Sequence, residues 1–192
     1  NLPTSEYPMK YCLVNGVQQN HIDIESRGIA YGDGLFTTAK IINGEVSYLT
    51  QHVERLIFGC RKLGINAPEP TELTSQLMAV AKKYSLAVLK VMISASSGGR
   101  GYARSLANNH DLTIMIYDYP EHYQAQARVG ITLGLSQQQL GLNPMLAGLK
   151  HLNRRLFHDD VAGNILVQYP LLVISSFFLE MYKQIALLFF LP

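Results

Sequence analysis

The chain has 192 residues, of which 48% are hydrophobic and 16% charged, with a formal net charge of +2. That mixture excludes a disordered chain, and so small a charge with no basic stripe argues against a nucleic-acid partner. The length suits one large domain or two small ones around a substantial core.

Residues 1–9 read as extra sequence ahead of a natural start close to Met9; they are polar, hold Pro3 and Pro8, and lack the apolar core of a signal peptide. Residues 10–14 then form a strand-like run. Asn15-Gly16 predicts a tight hairpin turn, since both positions tolerate positive φ, and residues 17–20 return. The pattern recurs with a strand over 35–42, a turn at Asn43-Gly44 and a return over 45–49. Between the hairpins, Arg27-Gly28-Ile29-Ala30-Tyr31-Gly32-Asp33-Gly34 reads as a loop held close to something, or as an ordinary glycine-rich connection. In the strand that follows, Phe36, Thr38 and Lys40 share one face, and Leu35, Thr37, Ala39 and Ile41 the other. One face should meet the core; the other is free to look into a cleft.

Thr50 is the expected N-cap of a helix running through Leu63, with Val53, Leu56, Ile57, Cys60 and Leu63 as its apolar stripe and Gly64 as its stop. His52 and Arg55 lie three apart and share a face. Arg55 fits either a solvated surface or a phosphate grip by its planar fork. After Pro68 and Pro70, Thr71 is the expected cap of a second helix bearing Leu73, Leu77, Val80, Ala81 and Tyr84. Residues 87–95 read as a buried strand. The Ser96–Tyr102 loop lacks the Lys-Ser/Thr ending of a nucleotide P-loop, and Arg100 and Tyr102 are placed to bind an anion there. Residues 112–119 and 129–135 read as two further strands. Hairpins, then two helices, then more strands make an α+β chain with an antiparallel sheet rather than a doubly wound one.

A polar connection, 136–148, leads to Lys150, near which a short helix is expected to begin. Lys150 lies in a largely apolar frame, Leu146-Ala147-Gly148-Leu149-Lys150-His151-Leu152. Desolvation disfavours an ammonium, and a neutral amine can attack a carbonyl to form a Schiff base. The same local sequence also fits an exposed lysine at a helix start. His151 and His158 are seven apart, which a solvated helix face explains better than a metal, and no cysteine spacing suits one. Cys12 and Cys60 read as reduced core thiols of a cytoplasmic protein. Residues 161–191 are strongly apolar, yet neither run reaches the roughly 18 residues of a spanning helix, and Pro170 interrupts the first, so a membrane role is not expected.

Taken together, Arg27–Thr38, the His52-Val53-Glu54-Arg55-Leu56 segment and Lys150 resemble the fold-type IV pyridoxal-phosphate enzymes, which include branched-chain aminotransferases, D-amino acid aminotransferases and 4-amino-4-deoxychorismate lyase. The Ser97-Gly98-Gly99-Arg100-Gly101-Tyr102 loop and Leu146–Arg154 resemble the lyase branch. The resemblance covers about residues 10–154. It implies an N-terminal α+β domain over 10–135 and an interdomain connection over 136–154 that carries the Schiff-base lysine, Lys150. It implies pyridoxal 5'-phosphate as cofactor, Arg55 as its phosphate ligand, and Thr38, Arg100 and Tyr102 on the substrate side, with Arg100 as the carboxylate partner. The implied reaction converts aminodeoxychorismate to 4-aminobenzoate and pyruvate in folate biosynthesis, in a homodimer by analogy. Freed Lys150 would be the general base. A D-amino acid or branched-chain aminotransferase, or a non-catalytic remnant acting as an interaction module, remains open. Residues 155–192 do not resemble the family's cofactor domain, and the abrupt change after Arg154 reads as a frame shift or a fragment.

Overall fold

A computed structural model of the chain describes residues 8–99, 101–104, 109–129, 133–135, 144–153 and 165–167. The elements are β1 (Met9–Val14), β2 (Val17–Gln18), α1 (Arg27–Tyr31), β3 (Gly34–Ile42), β4 (Glu45–Val46), α2 (Leu49–Leu63), α3 (Pro70–Ala81), β5 (Leu86–Ala95), β6 (His110–Tyr117), α4 (His122–Val129), β7 (Leu133–Leu135) and β8 (Ile165–Val167). Two units emerge from the packing, Asn1–Tyr119 with Leu149–Asn153, and Pro120–Gly148 with Arg154–Pro192.

The first unit is built on a six-stranded sheet in the order β2-β1-β6-β5-β3-β4, with every neighbouring pair antiparallel. The α+β expectation is met. Both hairpins turn on an Asn-Gly pair with positive φ, 51° and 79° at Asn15-Gly16, 51° and 81° at Asn43-Gly44. These are the left-handed positions that the twist of a two-residue hairpin demands.

Strand alternation sorts the sheet into two faces. Leu35, Thr37, Ala39 and Ile41 of β3 are buried beside Leu89, Val91 and Ile93 of β5 and Ile114 and Ile116 of β6. Helix α2 covers this face with Val53, Leu56 and Cys60 buried and Ile57 and Leu63 half-buried. Helix α3 adds Leu73, Leu77, Val80 and Ala81. The α2 stripe is the one expected from the 3.6-residue period, and so is that of α3 except Tyr84, which follows the end of the helix at Ala81 and packs half-buried on the same core. Cys12 and Cys60 are free thiols, both buried.

Several expectations are corrected. The 27–34 segment is not a plain loop: Arg27–Tyr31 forms a short helix closed by Gly32 at φ 60°. It is nonetheless held close, because a Cβ on Gly34 would lie 2.5 Å from the Ile93 carbonyl oxygen. Thr50 does not cap α2. Tyr48, in the left-handed region at φ 55°, turns the chain straight out of the hairpin, so the helix has begun by Leu49 and Thr50 falls inside its first turn. Thr71 does not cap α3 either. Pro70 takes the first helical position, where a missing N–H costs nothing, and the Glu69 carboxylate accepts the Glu72 amide at 2.8 Å. In the second unit, Val129 ends a helix rather than opening a strand, and β7 is only three residues long, paired parallel with β8.

Residues 144–148 form turns, and no helix starts at Lys150. Residues 150–152 instead run along the edge of β3. Phe36 donates its amide to the Lys150 carbonyl at 2.9 Å, and Leu152 donates to the Gly34 carbonyl at 3.0 Å. Leu35 and His151 form an antiparallel bridge between these bonds. A backbone ladder to a partner far off in sequence outweighed local helix preference. Among the described residues, no helix is long and apolar enough to cross a membrane.

Candidate active site

The pleat puts Lys150 and Leu152 on the same side of the sheet as Phe36, the face that α2 and α3 leave uncovered. Lys150 Nζ lies 4.9 Å from the centre of the Phe36 ring. Across the ladder, Thr38 pairs with Lys90 and Phe36 with Met92. Lys90 Nζ stands 5.5 Å from the same Phe36 ring. Burial pulls the Lys90 pKa down, because a desolvated ammonium is disfavoured. Two amines therefore flank one aromatic ring. A cleft of about 610 Å³ opens on this face towards β1 and β6, lined by Val14, Ile29, Met92, Ser94, Thr113 and Leu152 among others; Lys150, Phe36, Thr38 and Lys90 do not line it.

Beneath β3, a polar group sits in the core. Thr37 and His52 are 1% and 2% exposed, and Thr37 Oγ1 lies 2.7 Å from His52 Nδ1. Arg55, one turn further along α2, donates from Nη2 to Thr37 Oγ1 and stands 3.1 Å from His52 Nδ1. The His52 pKa is pushed down to about 3, first by burial, then by the charges of Arg55 and Lys150. His52 Nε2 is buried with no hydrogen-bond partner among the described residues.

A second cluster braces the glycine-rich segments. Asp33 accepts from Arg27 Nε at 3.0 Å and from Arg104 Nε and Nη2 at 2.9 and 2.5 Å. Burial pushes the Asp33 carboxyl up, but the Arg104 and Arg27 hydrogen bonds together outweigh it and hold its pKa below the usual value. Arg27 also donates to the carbonyls of Gly101 and Tyr102 at 3.2 and 3.0 Å. Arg104 donates to those of Leu63 and Gly64 at 2.9 and 2.7 Å. The loop after β5 is thereby tied to α1 and to the end of α2.

The sequence-expected residues divide accordingly. Lys150 and Thr38 share the uncovered face with Phe36, and Arg55 lies with Thr37 and His52 at the edge of the core. Tyr102 is 89% exposed, its ring 5.5 Å from that of Tyr31. Arg100 lies outside the described residues. Lys90, Phe36 and Thr37 were not singled out as site residues. Lys90 carried a signal, a lysine within an otherwise apolar strand. Phe36 and Thr37 lie within the Arg27–Thr38 segment of the resemblance, which gave neither a role.

The donor set suits a phosphorylated aldehyde: an amine to condense with the carbonyl and a guanidinium to meet the phosphate. An amino-transferase class IV family model matches residues 34–159. Over 141 residues the chain is 37% identical to aminodeoxychorismate lyase from Vibrio harveyi, a match covering 73% of this chain and 52% of that enzyme. The chain thus spans about half the length of this curated relative. The crystal structure of 4-amino-4-deoxychorismate lyase from Pseudomonas aeruginosa superposes with a TM-score of 0.72 at 29% identity, over 83% of this chain and 61% of that one. The branched-chain amino acid aminotransferase of Escherichia coli shares the fold, with a TM-score of 0.66 at 17% identity over 75% of this chain and 52% of that one. Class IV aminotransferases and aminodeoxychorismate lyases depend on pyridoxal phosphate.

Proposed function

Since the chain belongs to the amino-transferase class IV family, we propose that it is part of a pyridoxal-phosphate lyase that converts 4-amino-4-deoxychorismate to 4-aminobenzoate and pyruvate. The observation that carries this reading is the Lys150 amine, set beside the Phe36 ring by the backbone ladder to β3. The lyase rather than the aminotransferase assignment rests on the similarity to the Vibrio harveyi enzyme.

In this reading Lys150 holds the cofactor through its amine, and Arg55 holds its phosphate. Bound pyridoxal phosphate supplies an electron sink for a carbanion next to the substrate nitrogen. Once released, the Lys150 amine takes the ring C–H proton and returns a proton to the departing enolpyruvate carbon. Its backbone ladder to β3 keeps it beside the reacting atoms, so both transfers are local. Phe36 gives the amine an apolar wall. Thr38 and Tyr102 line the substrate side, and Arg100 pairs with a substrate carboxylate. A place in folate biosynthesis, a cytoplasmic setting and a homodimer belong to the same reading.

Titrating the full chain with pyridoxal phosphate tests it. We expect a new absorbance band at the visible edge, absent in Lys150→Ala. No band in the intact chain would overturn cofactor binding. With the cofactor bound, release of pyruvate from aminodeoxychorismate supports the lyase, whereas amino transfer to a keto acid supports the aminotransferase instead.

A further inference from the structure

We propose that Thr37 and His52 are positioning residues that fix the Arg55 guanidinium for the cofactor phosphate, a role that rests on the reading of Arg55 given above. On the core face of β3, Leu35, Ala39 and Ile41 are apolar and Thr37 is the exception. Among the buried residues of α2, His52 is the polar exception beside Val53, Leu56 and Cys60. A buried polar group is costly unless it is hydrogen-bonded. These two exceptions meet each other, at 2.7 Å, and both meet Arg55.

The donors and acceptors can be assigned. A guanidinium only donates. The His52 Nδ1 facing Arg55 Nη2 therefore presents its lone pair, and the ring carries its hydrogen on Nε2. Thr37 Oγ1 accepts from Arg55, and its own hydrogen shares the single Nδ1 lone pair with the Arg55 N–H. Were the imidazole protonated, an N–H would face the guanidinium and the arrangement would break. The neutral ring and the hydroxyl thus hold the Nη2 end of a long side chain. Two acceptors at one terminal nitrogen restrain the turn of the guanidinium plane, and a restrained plane favours paired hydrogen bonds to a phosphate.

The test compares the full chain's apparent affinity for pyridoxal phosphate with that for pyridoxal, which has the aldehyde but no phosphate. Asparagine at 52 places an amide oxygen where Nδ1 stands; glutamine places its amide where Nε2 stands. We expect His52→Gln and Thr37→Val to weaken pyridoxal phosphate by about ten-fold, the worth of one hydrogen bond to a charged group. Their affinity for pyridoxal should stay within about two-fold, and His52→Asn and Thr37→Ser should recover most of the loss. Thr37→Val keeps the shape of the side chain, so it reports even if a His52 variant fails to fold. Equal weakening of both ligands, or no change in Thr37→Val and His52→Gln, overturns the positioning role while leaving the Arg55 reading intact. If the unmodified chain does not prefer the phosphorylated ligand, or Arg55→Ala keeps that preference, the Arg55 reading fails and this inference falls with it.

Discussion

The two faces of the six-stranded sheet are cut from the same strands and behave differently. On one, β3, β5 and β6 present Leu, Ile, Val and Ala to α2 and α3, with most side chains fully buried. On the other, the same strands present Phe36, Thr38, Lys90, Met92 and Thr113, and the edge segment adds Lys150. The first face holds the unit together. The second gathers amines, a hydroxyl and an aromatic ring beside a cleft. One slip of register would exchange these roles, since neighbouring residues point to opposite sides. Thr37 and Thr38 show how sharp the division is: one is locked under Arg55, and the other pairs with Lys90 on the open side.

That contrast can be broken from either side. The largest effect should come from Lys150→Ala, which removes the cofactor absorbance band completely yet leaves the melting temperature of the apo chain unchanged; a matching fall in melting temperature would mean the open face is structural too. Next is Leu56→Ala on the core side. Leu56 is fully buried, and its truncation should cost about 2–5 kcal/mol in urea unfolding. A cost below that range would show that α2 packs loosely on the sheet.

A pH series sharpens the contrast at its polar exception. Folded His52 has a pKa of about 3, lowered by burial, Arg55 and Lys150, whereas in the unfolded chain it titrates near 6.5. Between these values the unfolded chain binds the extra proton. Stability therefore falls as pH drops through this window, by up to about 1.4 kcal/mol per pH unit. Asp33, with its lowered pKa, contributes stability that is lost only as pH falls below its unfolded value of 3.8, so the slope between pH 5 and 6 is free of it. Urea midpoints at several pH values should show that slope in the native chain and lose it in His52→Asn; an unchanged slope would place the titrating group elsewhere. The smallest effect belongs to Lys40→Ala on the open face. Its ammonium sits 4.8 Å from the Tyr119 ring, a contact whose loss should shift stability by about 0.5 kcal/mol, readable by chemical denaturation.

How far the sequence foretold this depends on the reach of each signal. Asn15-Gly16 and Asn43-Gly44 declare their hairpins because the need for positive φ is local. The stripes of α2 and α3 are legible because one period governs a whole helix. Cap positions were misjudged at Thr50 and Thr71 because the chain's entry angle, set by Tyr48 and Pro70, overrode cap preference. The extended course of Lys150 was illegible for a related reason: its ladder partners Gly34 and Phe36 lie far back in the chain. In the candidate site, Arg55 and Lys150 stood out by resemblance. The contact of Thr37 with His52 arises only when a strand and a helix are stacked, and neither residue type announces it.

The late arrival of residues 150–152 at the β3 edge has a consequence for biosynthesis. While the chain is still emerging, the Gly34 carbonyl and the Phe36 amide belong to an open strand edge, a template on which foreign strands can grow. Only after the ribosome has passed Asn153 can the molecule close that edge with its own backbone. Contacts so distant in sequence also form slowly. The segment that carries the amine therefore doubles as a seal against aggregation, and a nascent chain stalled before it should depend on chaperones more heavily than one stalled after it.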